Sequence, residues 1–282
     1  PVPGYDRHFK LLENFGIQMI PMPFQSDGPD LLSLKELLNE HKDIQGIVCV
    51  PRHSNPTGHV YSNQNVREMF SHLKKRNNNL MILWDNAYAC HDLKNTESQL
   101  PIFGMAEEYD LQDNLFVIGS TSKITLAGSG IAFFSSSQIN NNKFIDYRNS
   151  LTPGPNKINQ GLHVSYFKKV SLEEQMSELR QLLLPKFDLV DEHLSRLKEQ
   201  GLCNFTSPSG GYFVSFDSIQ AKASDIIKNC GDLGLTLLPI GSCFPYNNDP
   251  NNSNIRIAPS NPDLATLDKC LNIFTKIVKK MN

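Results

Sequence analysis

The sequence predicts an α/β protein with a largely parallel sheet that gives way, near residue 171, to a smaller α+β unit. Three observations carry this. Four short apolar runs, at 45–51, 80–84, 115–119 and 131–135, are rich in Val, Ile, Phe and Trp and too short for buried helices. Helical spacing of apolar residues lies before and between the first two runs. From 171 onward the pattern changes to one long helix followed by short strands and helices. Strands alternating with helices argue for parallel pairing, and near-continuous apolar strands suit a sheet covered on both faces.

The elements follow in order. At 31–41, Leu34, Leu37 and Leu38 repeat at helical spacing, and at 62–75 Val66, Met69, Phe70 and Leu73 share one helical face. The helix expected over 171–200 carries Pro185, which should kink it, and Gly201 is suited to end it. Beyond it the sequence predicts strands at 211–216, 235–238 and 254–257, with helices at 222–230 and 263–280. Asparagine clusters at 77–79 and 140–142, and the stretch 247–254, read as exposed loops. The expected domains are therefore 1–170 and 171–282.

Composition excludes several classes. The chain has 282 residues, 27 basic against 29 acidic, a net charge of −2, which rules out nucleic-acid binding driven by bulk charge. At 39% hydrophobic and 20% charged it is neither disordered nor fibrous. No apolar run approaches the roughly 20 residues of a membrane span. None of the six cysteines forms a Cys-x-x-Cys pair, so free thiols in a reducing cytoplasm are expected. The chain begins at Pro1, which fits part of a longer polypeptide.

The chemistry lies in four motifs in a fixed order, each expected at the end of a predicted strand, where ligand sites of α/β sheets sit. They are Ser54-Asn55-Pro56-Thr57-Gly58, Asp85-Asn86-Ala87-Tyr88, Gly119-Ser120-Thr121-Ser122-Lys123 and Asn254-Ile255-Arg256-Ile257-Ala258. Each has an ordinary reading by itself: a turn, a helix cap with a surface phenol, a solvated lysine, an edge-strand charge. Their joint occurrence in this order is what points to a cofactor site.

With Pro3-Gly4-Tyr5-Asp6-Arg7-His8-Phe9, the run from Trp84 through Leu93, and Ser122-Lys123-Ile124-Thr125-Leu126-Ala127-Gly128, the sequence resembles the class I/II aminotransferases of the fold-type I pyridoxal-phosphate enzymes. Within them it is most similar to the bacterial aspartate aminotransferase subgroup. The resemblance runs from the middle of that family's large domain to its C-terminus. It implies a three-layer α/β/α large domain, a smaller α+β C-terminal domain, pyridoxal 5'-phosphate as cofactor, amino acid and 2-oxo acid substrates, and a cytoplasmic homodimer.

The resemblance also implies roles, residue by residue. Lys123 matches the Schiff-base lysine that then moves a proton between two carbons. Asp85 matches the carboxylate facing the pyridine nitrogen, and Asn55 and Tyr88 the pair bonding the ring's phenolic oxygen. Ser120, with Ser122 beside it, matches the phosphate hydroxyls. Tyr5 falls where the family stacks an aromatic ring, although an ordinary turn aromatic explains it nearly as well. Arg256 matches the arginine that grips the substrate carboxylate beside Asn55, a task suited to a guanidinium's parallel donors. The match further implies a cis Asn55–Pro56 bond.

Two departures stand out. Where the family carries a phosphate-neutralising arginine after the lysine, this chain has Ala127-Gly128-Ser129-Gly130, one residue shorter. The family's upstream phosphate loop has no counterpart here. The chain alone is therefore expected to bind the cofactor poorly and to turn over slowly or not at all.

Rival readings weaken on inspection. Ser120-Thr121-Ser122-Lys123 also spells Ser-x-x-Lys, but the Ser-Asp-Asn and Lys-Thr-Gly companions of acyl transfer are missing. The eight histidines include neither His-x-His nor His-Glu-x-x-His, so no metal is expected. The remaining alternative is a non-catalytic, pyridoxal-phosphate-binding effector module of a transcription regulator built on the same fold.

Overall fold

The computed structural model describes residues 1–76 and 80–281. The asparagine cluster at 77–79 lies outside the described residues. Helix α1 (Asp6–Asn14) opens the chain, followed by a small hairpin of β1 (Phe24–Gln25) and β2 (Gly28–Pro29). Helix α2 (Leu31–Glu40) starts where Asp30 accepts the Ser33 N–H, and it buries Leu34 and Leu38. Helix α3 (Asn63–Lys74) is capped in the same way by Ser62 and buries Val66, Met69, Phe70 and Leu73, the face read from the sequence.

The first sheet has the order β3 (Gly46–Cys49), β4 (Met81–Asp85), β5 (Leu115–Ser120) and β6 (Ala132–Ser135). The first three strands are parallel and β6 runs back antiparallel, with Cys49 opposite Trp84 and Asp85 opposite Ile118. Parallel neighbours end at one edge. The loops after β3, β4 and β5 therefore open side by side, and these loops carry three of the four motifs. Helix α4 (Ile102–Glu108) packs Met105 and Ala106 into the apolar cluster behind this sheet, with Phe70, Ile82, Trp84 and Leu115.

Helices α5 (Gln138–Leu151) and α6 (Lys157–Phe167) were not expected. Helix α5 buries nothing and α6 buries only His163, so neither has an apolar face that periodicity could reveal. Helix α7 (Leu172–Glu199) begins at a Ser171–Glu174 capping box and runs unbroken through Pro185. Gly201, at φ +72°, lets the Leu202 N–H reach the Leu197 carbonyl and closes the helix.

An antiparallel sheet of β7 (Cys203–Phe205), β8 (Val214–Ser218) and β9 (Asn254–Ile257) follows, with helices α8 (Ala223–Asp232) and α9 (Leu264–Met281). The strand expected at 235–238 does not form. Leu235 and Leu237 do pack on the core, but the Leu235 N–H closes α8 on the Cys230 carbonyl instead of joining a ladder. A second apolar cluster, including Leu194, Phe216, Ile226, Leu271 and Phe274, fills this half, and Leu93 reaches it from the first. Among the described residues no helix is long and apolar enough to cross a membrane.

Candidate active site

The turn after β3 is buried through Ser54, Asn55 and Thr57. Its Asn55–Pro56 bond is cis, as expected. Gly58, at φ +69°, closes the turn, and a Cβ there would lie 2.2 Å from Pro208. No other residue fits that approach. Asn55 Oδ1 accepts a hydrogen bond from Arg256 Nη1 at 3.2 Å, so the first and last motifs meet. Arg256 lies on β9 with its guanidinium 4.5 Å from the Phe213 ring and 3.6 Å from an Asp6 carboxylate oxygen.

Asp85 ends β4, buried, accepting the Ala87 N–H at 3.1 Å and facing His8 Nε2 at 3.0 Å. One turn on, the Tyr88 ring lies 4.9 Å from the Lys123 amine. Burial, reinforced by the Asp85 charge, pushes the Tyr88 phenol well above its usual range. Burial lowers the Lys123 pKa from the usual 10.5, and the nearby Asp85 carboxylate opposes that only in part. The Tyr5 ring stands edge-on to His8 at 5.0 Å, and its phenol is raised chiefly by burial. Ser120 Oγ donates to Ser122 Oγ at 2.8 Å and accepts the Ser122 N–H at 3.1 Å, so the two hydroxyls form one small polar cluster beside Lys123. A Cβ at Gly130 would sit 2.2 Å from Ser122 Oγ and 2.6 Å from Ser122 backbone. The loop therefore has no room for a side chain where the family carries its arginine.

The turn bearing Lys123 is pinned from several sides. His163 Nε2 meets the Thr125 hydroxyl at 2.9 Å, Asn159 donates to the Ser129 carbonyl at 2.7 Å, and Gln175 donates to the Ile124 carbonyl at 3.0 Å. Next to the Asn55 turn, Asp92 accepts from Arg52 Nη2 at 2.7 Å and meets His53 Nε2 at 2.7 Å. Burial raises the Asp92 pKa, but the hydrogen bonds from His53 and Arg52 outweigh it and hold the carboxyl well below its usual range.

Sequence reasoning assigned no role to Asp6, His8, His91, Tyr212 or Phe213, all of which touch site residues. His8 and His91 carried a local signal, each lying three residues after a site tyrosine within a run already singled out. Volume does not mark the site. A cavity of about 220 Å³ lined by Tyr61, Asn63, Trp84, Asn86 and Gln99 contains none of Asp85, Lys123 or Arg256. A smaller one is lined by Tyr5, His8 and Asn55 and does border it. Among the described residues no cluster of three His, Cys, Asp or Glu could hold a metal ion.

A family model described as aspartate amino-transferase matches residues 1–281. An aspartate aminotransferase of Corynebacterium glutamicum is 38% identical over 271 residues, 95% of this chain and 62% of that protein. The chain thus spans about 62% of the length of the curated relatives it matches. The crystal structure of an aspartate transaminase from the same organism aligns with a TM-score of 0.91 at 36% identity, covering 99% of this chain and 66% of that one. An α-aminoadipate aminotransferase from Thermus thermophilus, complexed with N-(5'-phosphopyridoxyl)-L-leucine, aligns with a TM-score of 0.85 at 20% identity over 99% of this chain and 70% of that one, a likeness of fold.

Proposed function

The chain belongs to the aspartate amino-transferase family, and from that premise we propose that its site moves an amino group between an amino acid and a 2-oxo acid, with pyridoxal 5'-phosphate as cofactor. The observation that carries the reading is the meeting of a half-buried amine, Lys123, with Tyr88 and the Asp85 charge, while Arg256 reaches the same site across the Asn55 turn. The donor set fits the cofactor's ring groups and part of its phosphate. It holds a carboxylate for a protonated ring nitrogen, an amide and a phenol for the phenolic oxygen, an amine for the aldehyde and two hydroxyls for the phosphate.

When bound, pyridoxal phosphate supplies an electron sink for the substrate's carbanion. The chain's own residues do the rest. Asp85, fixed by the Ala87 N–H and His8, favours the protonated ring nitrogen. Asn55 and Tyr88 would hold the phenolic oxygen, and Ser120 and Ser122 would turn their hydroxyls to the phosphate. Tyr5, held at the start of α1 edge-on to His8, would supply the aromatic face for the ring. Burial leaves more of the Lys123 amine neutral near pH 7 than an exposed lysine, so it can take a proton at the substrate's α-carbon. Arg256 binds the α-carboxylate, its plane fixed by Phe213, Asn55 and Asp6.

Residues 1–170 are read as part of the large cofactor-binding domain and 171–282 as the small one, a division supported by the two apolar clusters. Aspartate as donor rests on the relative at 38% identity. A cytoplasmic homodimer is part of the proposal. Exposed Tyr147, Leu151, Ile158, Leu162 and Val164, scattered over α5 and α6, support an apolar surface that a second copy covers, and the six free cysteines suit the compartment. The effector-module reading has less support, because the amine, carboxylate and guanidinium of the chemistry are all in place. The test is an amino-acid panel with pyridoxal phosphate, followed by absorbance and by 2-oxo acid formation. Turnover with aspartate, or a donor-dependent change in cofactor absorbance, that Lys123→Ala abolishes supports the reading, and tight cofactor binding with no absorbance change for any donor would favour the effector module.

A further inference from the structure

The main-chain carbonyl of Lys123 accepts two side-chain hydrogen bonds, from the Tyr212 hydroxyl at 2.9 Å and from His91 Nε2 at 3.2 Å. The donors come from opposite halves of the chain. His91 lies three residues past Tyr88, and Tyr212 lies in the segment that leads into β8. Their rings also touch: His91 is 5.4 Å from Tyr212 and 5.7 Å from Tyr88, centroid to centroid. The Tyr88 ring in turn lies under the Lys123 amine. One residue past Tyr212, Phe213 supports the Arg256 guanidinium. The Tyr212–Phe213 pair therefore reaches both the lysine's backbone and the arginine.

The chemistry of His91 suits this single task. Burial lowers its pKa to about 4, so it is neutral near pH 7. A carbonyl can only accept, so Nε2 carries the proton and Nδ1 is the bare nitrogen, buried and without a hydrogen-bond partner. Neither side chain belongs to the ladders of β4 or β8, which end before His91 and begin after Tyr212, while the main chains of the two segments meet where the His91 carbonyl accepts the Gly211 N–H.

We propose that His91 and Tyr212 are positioning residues that clamp the backbone of Lys123 and so fix where its amine lies between Asp85 and Tyr88. This rests on the amino-transfer reading of the site. A lysine side chain is a flexible stem, and its usefulness in a bond-forming step depends on how narrowly its base is held. Two donors on one carbonyl restrict the base and leave the amine free to swing.

The test uses Tyr212→Phe, His91→Leu and His91→Gln, the last retaining an N–H donor. In the cofactor-free protein, competitive acetylation with peptide mapping gives the pKa of Lys123 itself, whose charged and titratable surroundings are Asp85, Tyr88 and His91. With excess pyridoxal phosphate, absorbance gives the rate at which Lys123 captures the cofactor. Tyr212→Phe and His91→Leu are expected to raise the Lys123 pKa toward 10.5 and to slow capture about tenfold, the fold-change of one lost hydrogen bond. His91→Gln is expected to recover most of both. Lowered thermal stability with an unchanged Lys123 pKa, or capture within about twofold of wild type in both deletion variants, would overturn the proposal. Tyr212→Phe removes one oxygen from a half-buried ring, so it decides alone where His91→Leu prevents folding. Capture of the cofactor by the wild-type protein at a lysine other than Lys123 would overturn the amino-transfer reading, and the pKa comparison in cofactor-free protein would still decide the clamp.

Discussion

Replacing Asp92 with alanine removes the shared acceptor of a buried cation and a buried imidazole. Arg52 is 8% exposed and His53 is 1% exposed. The carboxylate takes Arg52 Nε at 3.1 Å, Arg52 Nη2 at 2.8 and 2.7 Å, and His53 Nε2 at 2.7 Å. In the variant Arg52 keeps only the Glu97 carbonyl and the Thr96 hydroxyl. Stranding one partner of a buried pair costs about 3–5 kcal/mol, and the 28% exposure of the Asp92 side chain argues for the low end, about 3 kcal/mol. At about 2 °C per kcal/mol for a chain of this size, the unfolding midpoint should fall by roughly 6 °C. The sign of the pH dependence is fixed as well. A carboxyl held below its unfolded pKa of 3.8 stabilises fully above that value and loses its contribution as pH falls toward the folded pKa. The gap between wild type and variant should therefore be constant near neutrality and close in acid. Thermal melts from neutral to acidic pH measure both. A midpoint within about 1 °C of wild type at neutral pH, or a gap that widens in acid, would refute the reasoning.

Further outcomes follow from the same contacts. Arg256→Lys exchanges a flat two-donor fork for a point charge and should raise KM for amino and oxo acids by about ten- to a hundredfold, with kcat less affected; steady-state kinetics separate the two. Lys123→Met should stabilise the cofactor-free protein by about 0.5–2 kcal/mol near neutral pH. The folded lysine's pKa lies below 10.5, so folding buries an unwelcome ammonium at lower pH, and the stabilisation should vanish as pH rises past 10.5 in denaturant titrations. Gly130→Arg, which restores the family's arginine, should weaken pyridoxal phosphate binding and cost about 1–3 kcal/mol, because its Cβ meets Ser122 backbone at 2.6 Å. Tighter cofactor binding in a fluorescence titration of that variant would contradict this view of the loop.

What the sequence made legible was local. The strands after which Asn55, Asp85 and Lys123 sit are short apolar runs, and parallel pairing brings their ends together. Helices α5 and α6 were illegible because their apolar residues face outward and give no amphipathic stripe. The run at 235–238 misled for the opposite reason: Leu235 and Leu237 are half-buried against the second apolar cluster without a strand partner, which periodicity does not distinguish from a ladder. In the site, the lysine, the carboxylate and the arginine were proposed from motifs. Asp6 against Arg256 and Tyr212 against Lys123 were not, since 250 and 89 residues separate these pairs and only tertiary packing joins them. At Gly130 the missing arginine was visible as a departure, while its steric cause, the Ser122 backbone, was not.

The most direct test of the account is the address of the covalent cofactor. The chain is incubated with excess pyridoxal phosphate, reduced with borohydride, digested and mapped by mass spectrometry. The account predicts a pyridoxyl group on Lys123 that disappears in Lys123→Ala. A label on another lysine, with Lys123 unmodified, would contradict it.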